Sequence, residues 1–317
     1  MIDLTGWALV VAAAYLPRRP CSVAALVIVL GVCVIAGMDV VVIRLRRVAS
    51  IGLATAAVAL VNYALRGEEP GFRMLALVSV MLLAMKVVTI AFAGPALPPR
   101  QWLAFVGWFG MRPGIFTTLG SPALPGAGAL AADGLRSIAI GAMLLVTATA
   151  AAPHFRWLAT ALALPALSLM LHFGLFDLCA AFWRRQGVAC DELFRHPLRS
   201  KSLAEFWSRR WNAGYSEMIA VVVHRPLREK LGGEAALLGS FLASGLLHEL
   251  AISVPSGAGF GLPTTYFLLH GLLVALERRM PRAPGRLWTL FWLIAPLPLL
   301  FPPAFIRGIV WPLIGLR

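Results

Sequence analysis

Polar residues along this chain fall into a few short clusters, and the apolar runs between them have the length of bilayer crossings. A first run covers about Cys21 to Ile43 and is closed by Arg44, Arg46 and Arg47. A second covers about Val48 to Leu65, and a third about Met74 to Ala93, the latter containing Lys86. Between them lies Arg66 to Arg73, where Glu68 and Glu69 offset two arginines. With about 20 apolar residues needed per helical crossing, each run predicts a span. The stretch Pro95 to Ser137 breaks the pattern with Pro98, Pro99, Pro113, Pro122 and Pro125. Its apolar part, Trp102 to Leu119, is interrupted by Arg112 and Pro113 and predicts a re-entrant or interfacial element. Two runs split by Pro153 and His154, Ile138 to Ala152 and Trp157 to Leu178, predict helices joined by a tight turn. After the longest polar segment, Arg184 to Lys230, spans are expected at about Ala235 to Val254 and Phe260 to Leu276. A last apolar region follows the basic loop Arg278 to Arg286 and is cut by Pro296, Pro298, Pro302 and Pro303. The stretch Met1 to Pro20 is expected to stay as a short first helix, because Asp3 stands where a signal peptide is basic.

Composition agrees with this pattern. Of 317 residues, 60% are hydrophobic and 13% charged, about half the charge of a soluble domain. The expectation is an all-α polytopic membrane protein of roughly eight or nine crossings, forming one membrane-embedded domain over residues 1–317. The net charge of +14 resides in connecting loops, where basic residues report orientation. Nucleic-acid binding is excluded for want of a soluble basic domain. Placing Arg184 to Lys230 in the cytoplasm puts Arg278 to Arg286, Arg136, Arg100 and the Arg44 to Arg47 cluster on the same side. Only Arg18 and Arg19 disagree. The Ala- and Arg-rich, charge-poor composition suits a bacterial inner membrane. Among Cys21, Cys33, Cys179 and Cys190 no pair has metal-ligand spacing, so neither a disulfide framework nor a metal site is expected.

Two places carry candidate chemistry. In SKSLAEFWSRRWNAGYSEM, Ser202 and Glu205 have capping-box spacing, so a helix is predicted to start there. Trp207, Arg209, Arg210 and Trp211 project from it and suit a water–lipid boundary. Asn212, placed about 15 Å along a continuous helix, is not explained by that setting. The second place is SGLLHEL, where His248 falls late in an apolar span. A histidine there either bonds a neighbouring carbonyl as a packing residue or faces a wet, functional cavity. Ser244 lies one turn earlier on the same face, and Gly245 permits close approach of another helix.

FWSRRWN, followed 36 residues later (248 − 212) by the histidine of SGLLHE, resembles the membrane-bound O-acyltransferase family, in its wax synthase branch. GWFGMRP at Gly107 to Pro113 looks like the family's Trp-Pro-Gly-Met element with Phe109 in place of the proline. LHFGLFD at Leu171 to Asp177 and FLLHG at Phe267 to Gly271 also look like wax synthase segments. The likeness covers roughly residues 107–277. It implies a helical bundle around an internal reaction chamber, with His248 as the catalytic histidine and Asn212 as its polar companion. It also implies acyl-CoA as co-substrate, with no tightly bound cofactor, and a lipophilic, long-chain alcohol as acceptor.

The chemistry fits those residue types. An imidazole can take the hydroxyl proton as the alcohol attacks a thioester carbonyl, and a carboxamide can donate to the oxyanion or orient the histidine or thioester. The phosphates of CoA call for a basic portal, for which Arg195, Arg199, Lys201, Arg209, Arg210, Arg225 and Arg228 are candidates, Arg209 and Arg210 with Trp207 and Trp211 foremost. Ser244 and His270 are expected to line the chamber. A lipid transporter or flippase is the rival class; it predicts inverted repeats, which are not found. A non-catalytic lipid-binding member of the same fold is the other.

Overall fold

The computed structural model describes residues 4–39 and 46–316, and every regular element among them is helical. Ile43 and Arg44, assigned above to the end of the first span and its basic cluster, lie outside the described residues, as does Asp3. The helices are α1 (Leu4–Tyr15), α2 (Pro20–Asp39), α3 (Arg46–Ala64), α4 (Pro70–Ala93), α5 (Pro99–Val106) and α6 (Ala127–Ala151). They continue as α7 (Arg156–Arg185), α8 (203–210), α9 (213–231), α10 (Gly233–Ser256), α11 (Leu262–Glu277), α12 (Arg286–Leu300) and α13 (Pro303–Leu313).

Six of these, α2, α3, α4, α6, α7 and α10, are long and apolar enough to cross a membrane, and α12 with α13, bent by 72°, makes up to seven. The expected eight or nine crossings are therefore too many among the described residues. At about 1.5 Å per residue, α1 reaches only about 18 Å and α11 about 24 Å, short of the roughly 30 Å hydrocarbon layer. The break between α12 and α13 falls at Pro302 and Pro303, where missing N–H donors end a helix.

The proline-broken stretch is also shorter than expected, because α6 begins at Ala127 rather than Ile138. Arg136, expected in a loop, instead forms an exposed i,i+3 pair with Asp133 at 3.1 Å on the helix surface. What remains of the stretch is α5, only eight residues long, and a 3₁₀ turn over Pro113–Thr118. Neither can span, in line with a re-entrant or interfacial element. Trp102 anchors α5, donating from Nε1 to the carbonyl of Val34 at 2.9 Å.

Helix α4 is the central post. Its apolar window is 67% buried inside the protein, against 11% for α6, so α6 lies at the periphery of the bundle. Lys86 on α4 neither snorkels nor faces a cavity. It is fully buried, donates from Nζ to the carbonyl of Gly110 at 2.9 Å and lies 3.9 Å from the centre of the Phe105 ring. A buried ammonium needs such partners, and they pin the 107–113 segment to the post.

Arg18 and Arg19, the two residues at odds with the charge pattern, are neutralised where they stand. Arg18 pairs with Glu69, and Arg19 lies 3.3 Å from Glu68. Glu68 also accepts from the Arg18 N–H and the Ser22 hydroxyl, both at 2.7 Å. Burial pushes its carboxyl up, but these bonds outweigh that and hold it below its ordinary range. The loops 16–19 and 65–69 thus form one clasp.

Candidate active site

The segment after α7 is held before it is aimed. Ser202 Oγ accepts the N–H of Glu205 at 3.0 Å, and Glu205 reaches back to the Lys201 N–H at 2.8 Å, close to a capping box. Glu277, from the end of α11, accepts the N–H groups of Leu203 and Ala204 at 2.8 and 2.9 Å and the Trp288 indole at 3.0 Å. Negative charge at a helix start is favourable, so the buried Glu277 fixes where α8 begins.

The continuous helix expected through Asn212 is broken at this residue. The chain is extended at Trp211 and left-handed at Asn212 (φ 47°, ψ 64°), and a new helix, α9, starts at the next residue. Asparagine is one of the few non-glycine residues that tolerate this conformation. It serves as the N-cap, its Oδ1 accepting the Tyr215 N–H at 3.2 Å. With the oxygen occupied, the amide NH₂ is left as donor, and it has no partner among the described residues. The kink is clamped by Ser216 Oγ donating to the Trp207 carbonyl at 2.7 Å and by Phe206 stacked on Trp211 at 5.3 Å.

His248 closes the regular part of α10, just before a π-helical turn over Glu249–Ser253, a distortion common at functional sites. Its Nδ1 lies 2.7 Å from the carbonyl of Ser244. A carbonyl only accepts, so Nδ1 carries the proton and Nε2 presents its lone pair. The ring packs 4.2 Å from that of Phe267. Gly245 allows α11 this close, since a Cβ there would fall 2.7 Å from Thr264 Cα. Glu249, one residue on, is structural: it accepts from the N–H groups of Gly261 and Thr264 and from the Thr264 hydroxyl.

Asn212 and His248 line the same cavity, of about 640 Å³, bounded by α8, α9, α10 and α11. Trp207, Trp211, Arg209 and Ser244 line it too. Arg210 does not. It pairs with Glu205 at 2.6 Å and donates to the Arg195 carbonyl at 3.2 Å, tying the preceding loop to α8. His270 is the other correction. It is fully buried, with its ring 5.5 Å from that of Trp207, a cavity-lining residue, and its Nε2 is 3.0 Å from the Trp292 carbonyl. Of the seven basic portal candidates, Arg195 and Arg209 reach the cavity, joined by Arg278 from the basic loop after α11. Among the described residues Arg209 and Arg278 make no ion pair.

Also missed were Tyr215, Ser240 and His224, all on the cavity wall. Tyr215 donates to Ser244 Oγ at 3.2 Å, Ser244 Oγ to the Ser240 carbonyl at 2.9 Å, and His224 Nδ1 lies 3.3 Å from Ser240 Oγ. Ser240, Ser244 and His248 recur every four residues on one helix face, a signal present in the sequence. The remaining motifs support the site. Arg112 of GWFGMRP pairs with Glu217 on the cavity wall, and a Cβ at Gly214 would meet Gly110 Cα at 2.9 Å. His172 of LHFGLFD has its ring 5.7 Å from that of Trp211 and 4.6 Å from that of Phe194.

Residues 190–269, which hold both Asn212 and His248, match the Membrane bound O-acyl transferase family. The chain is 36% identical over 105 residues to the probable long-chain-alcohol O-fatty-acyltransferase 2 of Arabidopsis thaliana, covering 30% of this chain and 31% of that one. It is 31% identical over 99 residues to the long-chain-alcohol O-fatty-acyltransferase of Simmondsia chinensis, 28% of each. With the probable long-chain-alcohol O-fatty-acyltransferase 7 of Arabidopsis thaliana it shares 29% over 146 residues, 38% of this chain and 42% of the relative. The chain thus spans less than half the length of these relatives. The likeness to the family, and to its wax synthase-like branch, therefore rests on a whole matched segment and not on the motifs alone.

Proposed function

We propose that this protein transfers a fatty acyl group from CoA to a lipophilic, long-chain alcohol within the membrane. The observation that carries the reading is the meeting of His248 and Asn212, from different helices, in one cavity. His248 Nε2 takes the proton of the alcohol hydroxyl as its oxygen attacks the thioester carbonyl. The Asn212 amide donates to the oxyanion, a contribution on the order of 3 kcal/mol in a dry site. As the C–S bond breaks, the imidazolium returns the proton to the departing sulfur, giving ester and CoA thiol. The low-polarity wall keeps water from the thioester. Arg195, Arg209 and Arg278 suit the phosphates of CoA, and the end of the molecule that bears them faces the cytoplasm in this reading, as basic loops favour.

The test is purified protein in lipid nanodiscs, supplied with hexadecanoyl-CoA and a panel of alcohols. Free thiol and ester should appear in equal amounts and only with alcohol present. His248→Ala should lower turnover by about 10²- to 10⁴-fold with unchanged size-exclusion behaviour. Thiol release without alcohol, or an active His248→Ala variant, would refute the proposal.

A further inference from the structure

Asn212 and His248 stand on separate helices, so their relative placement must be held by something other than either helix. Tyr215 touches the supports of both. Its backbone N–H donates to Asn212 Oδ1 and its phenol to Ser244 Oγ, each at 3.2 Å. The direction of the second bond is forced, because Ser244 Oγ already gives its own proton to the Ser240 carbonyl at 2.9 Å. The carbonyl of this same Ser244 receives the Nδ1 proton of His248 at 2.7 Å. One residue therefore fixes the carboxamide through its backbone and braces, through its side chain, the helical turn that aims the imidazole.

The rest of the wall makes this brace hard to replace. Among the described residues, the other polar bond between α9 and α10 is His224 to Ser240, one turn of α10 further from His248 than Ser244 is. The α10 residues on the cavity wall are Leu237, Ser240, Phe241, Ser244 and His248, and of these Ser244 is the one the phenol bonds. We infer that Tyr215 is a positioning residue that sets the Asn212–His248 geometry for acyl transfer, a role that rests on the function proposed above. It touches neither reacting atom. Without the phenol, α9 and α10 are free to shift at the level of the site, and small misplacements are costly to turnover while leaving binding of the substrates largely intact.

Tyr215→Phe keeps the ring and the backbone cap, and Ser244→Ala keeps the carbonyl that holds His248. Assayed in nanodiscs with hexadecanoyl-CoA and hexadecanol, each should lower kcat about tenfold with KM for both substrates within twofold. The double variant should be no slower than either single one, since both changes remove the same bond. Wild-type kcat in Tyr215→Phe, a rise in KM at constant kcat, or losses that multiply in the double variant would overturn the inference. His248→Ala assayed alongside separates the two levels: if it is active, the acyl-transfer reading falls, whereas an inactive His248→Ala with a fully active Tyr215→Phe removes Tyr215 alone. Should Tyr215→Phe fail to fold, Ser244→Ala decides by the same kcat criterion.

Discussion

Replacing Asn212 by alanine and by glycine separates what this residue does for the fold from what it does for the reaction. The backbone there is left-handed (φ 47°, ψ 64°) and the side chain caps α9. Alanine would meet a left-handed penalty of about 1–2 kcal/mol and lose a cap of about 1 kcal/mol, in all about 2–3 kcal/mol. Glycine adopts the conformation freely and costs only a few tenths of a kcal/mol at an N-cap position. Both variants lack the amide donor, so both should lose about 10²- to 10³-fold in kcat. Thermal unfolding in detergent should therefore rank wild type and Asn212→Gly together, with Asn212→Ala clearly below. Acyl transfer per folded molecule should instead group the two variants together. An Asn212→Gly protein with wild-type kcat would show that the carboxamide is only a cap; a glycine variant as unstable as the alanine one would refute the backbone argument.

Charge and pH give two further expectations. Arg278→Glu should raise KM for acyl-CoA about five- to tenfold at low ionic strength with kcat unchanged, and the difference should shrink in high salt; an unaltered KM removes Arg278 from the portal. Glu205 accepts from the Lys201 N–H and pairs with Arg210, and the first bond with the second outweighs partial burial and holds its carboxyl below the ordinary range. The folded protein thus binds this proton less readily than the unfolded chain, so the stabilisation is complete above roughly pH 4.3 and is lost as pH falls through the lower folded value. Glu205→Gln should be less stable than wild type at neutral pH, with the gap closing on acidification; a gap that does not vary with pH refutes the assignment.

Most of the spans were legible because a long charge-poor run in lipid must satisfy its backbone as a helix; the count failed at apolar runs such as α11, which are too short to cross. Boundaries failed where a charged pair rides on a helix surface, as Asp133 and Arg136 do. The motifs and their order singled out Asn212 and His248, and the fold brings both to one cavity. The kink at Asn212 was not, because a left-handed residue leaves no trace in hydrophobic periodicity. Faces were misjudged for a related reason. Adjacent arginines on a helix point about 100° apart, so Arg209 reaches the cavity while Arg210 turns to Glu205. The π-helical turns at 206–210, 220–224 and 249–253 shift every face beyond them. His270 has the right depth and helix, but Trp207 stands beside it on the cavity wall, a neighbour that no spacing rule reveals.

The pairing of Arg18 and Arg19 with Glu69 and Glu68 has a consequence for biosynthesis. The Arg18 amide and its Glu68 partner are 50 residues apart; at a ribosomal pace of about 5–20 residues per second, the cations emerge roughly 3–10 s before their counter-ions. For that interval the nascent chain displays an uncompensated double positive charge between α1 and α2. Until Glu68 and Glu69 follow, both arginines count toward the positive-inside bias; once paired, the clasp carries no net charge and favours neither side.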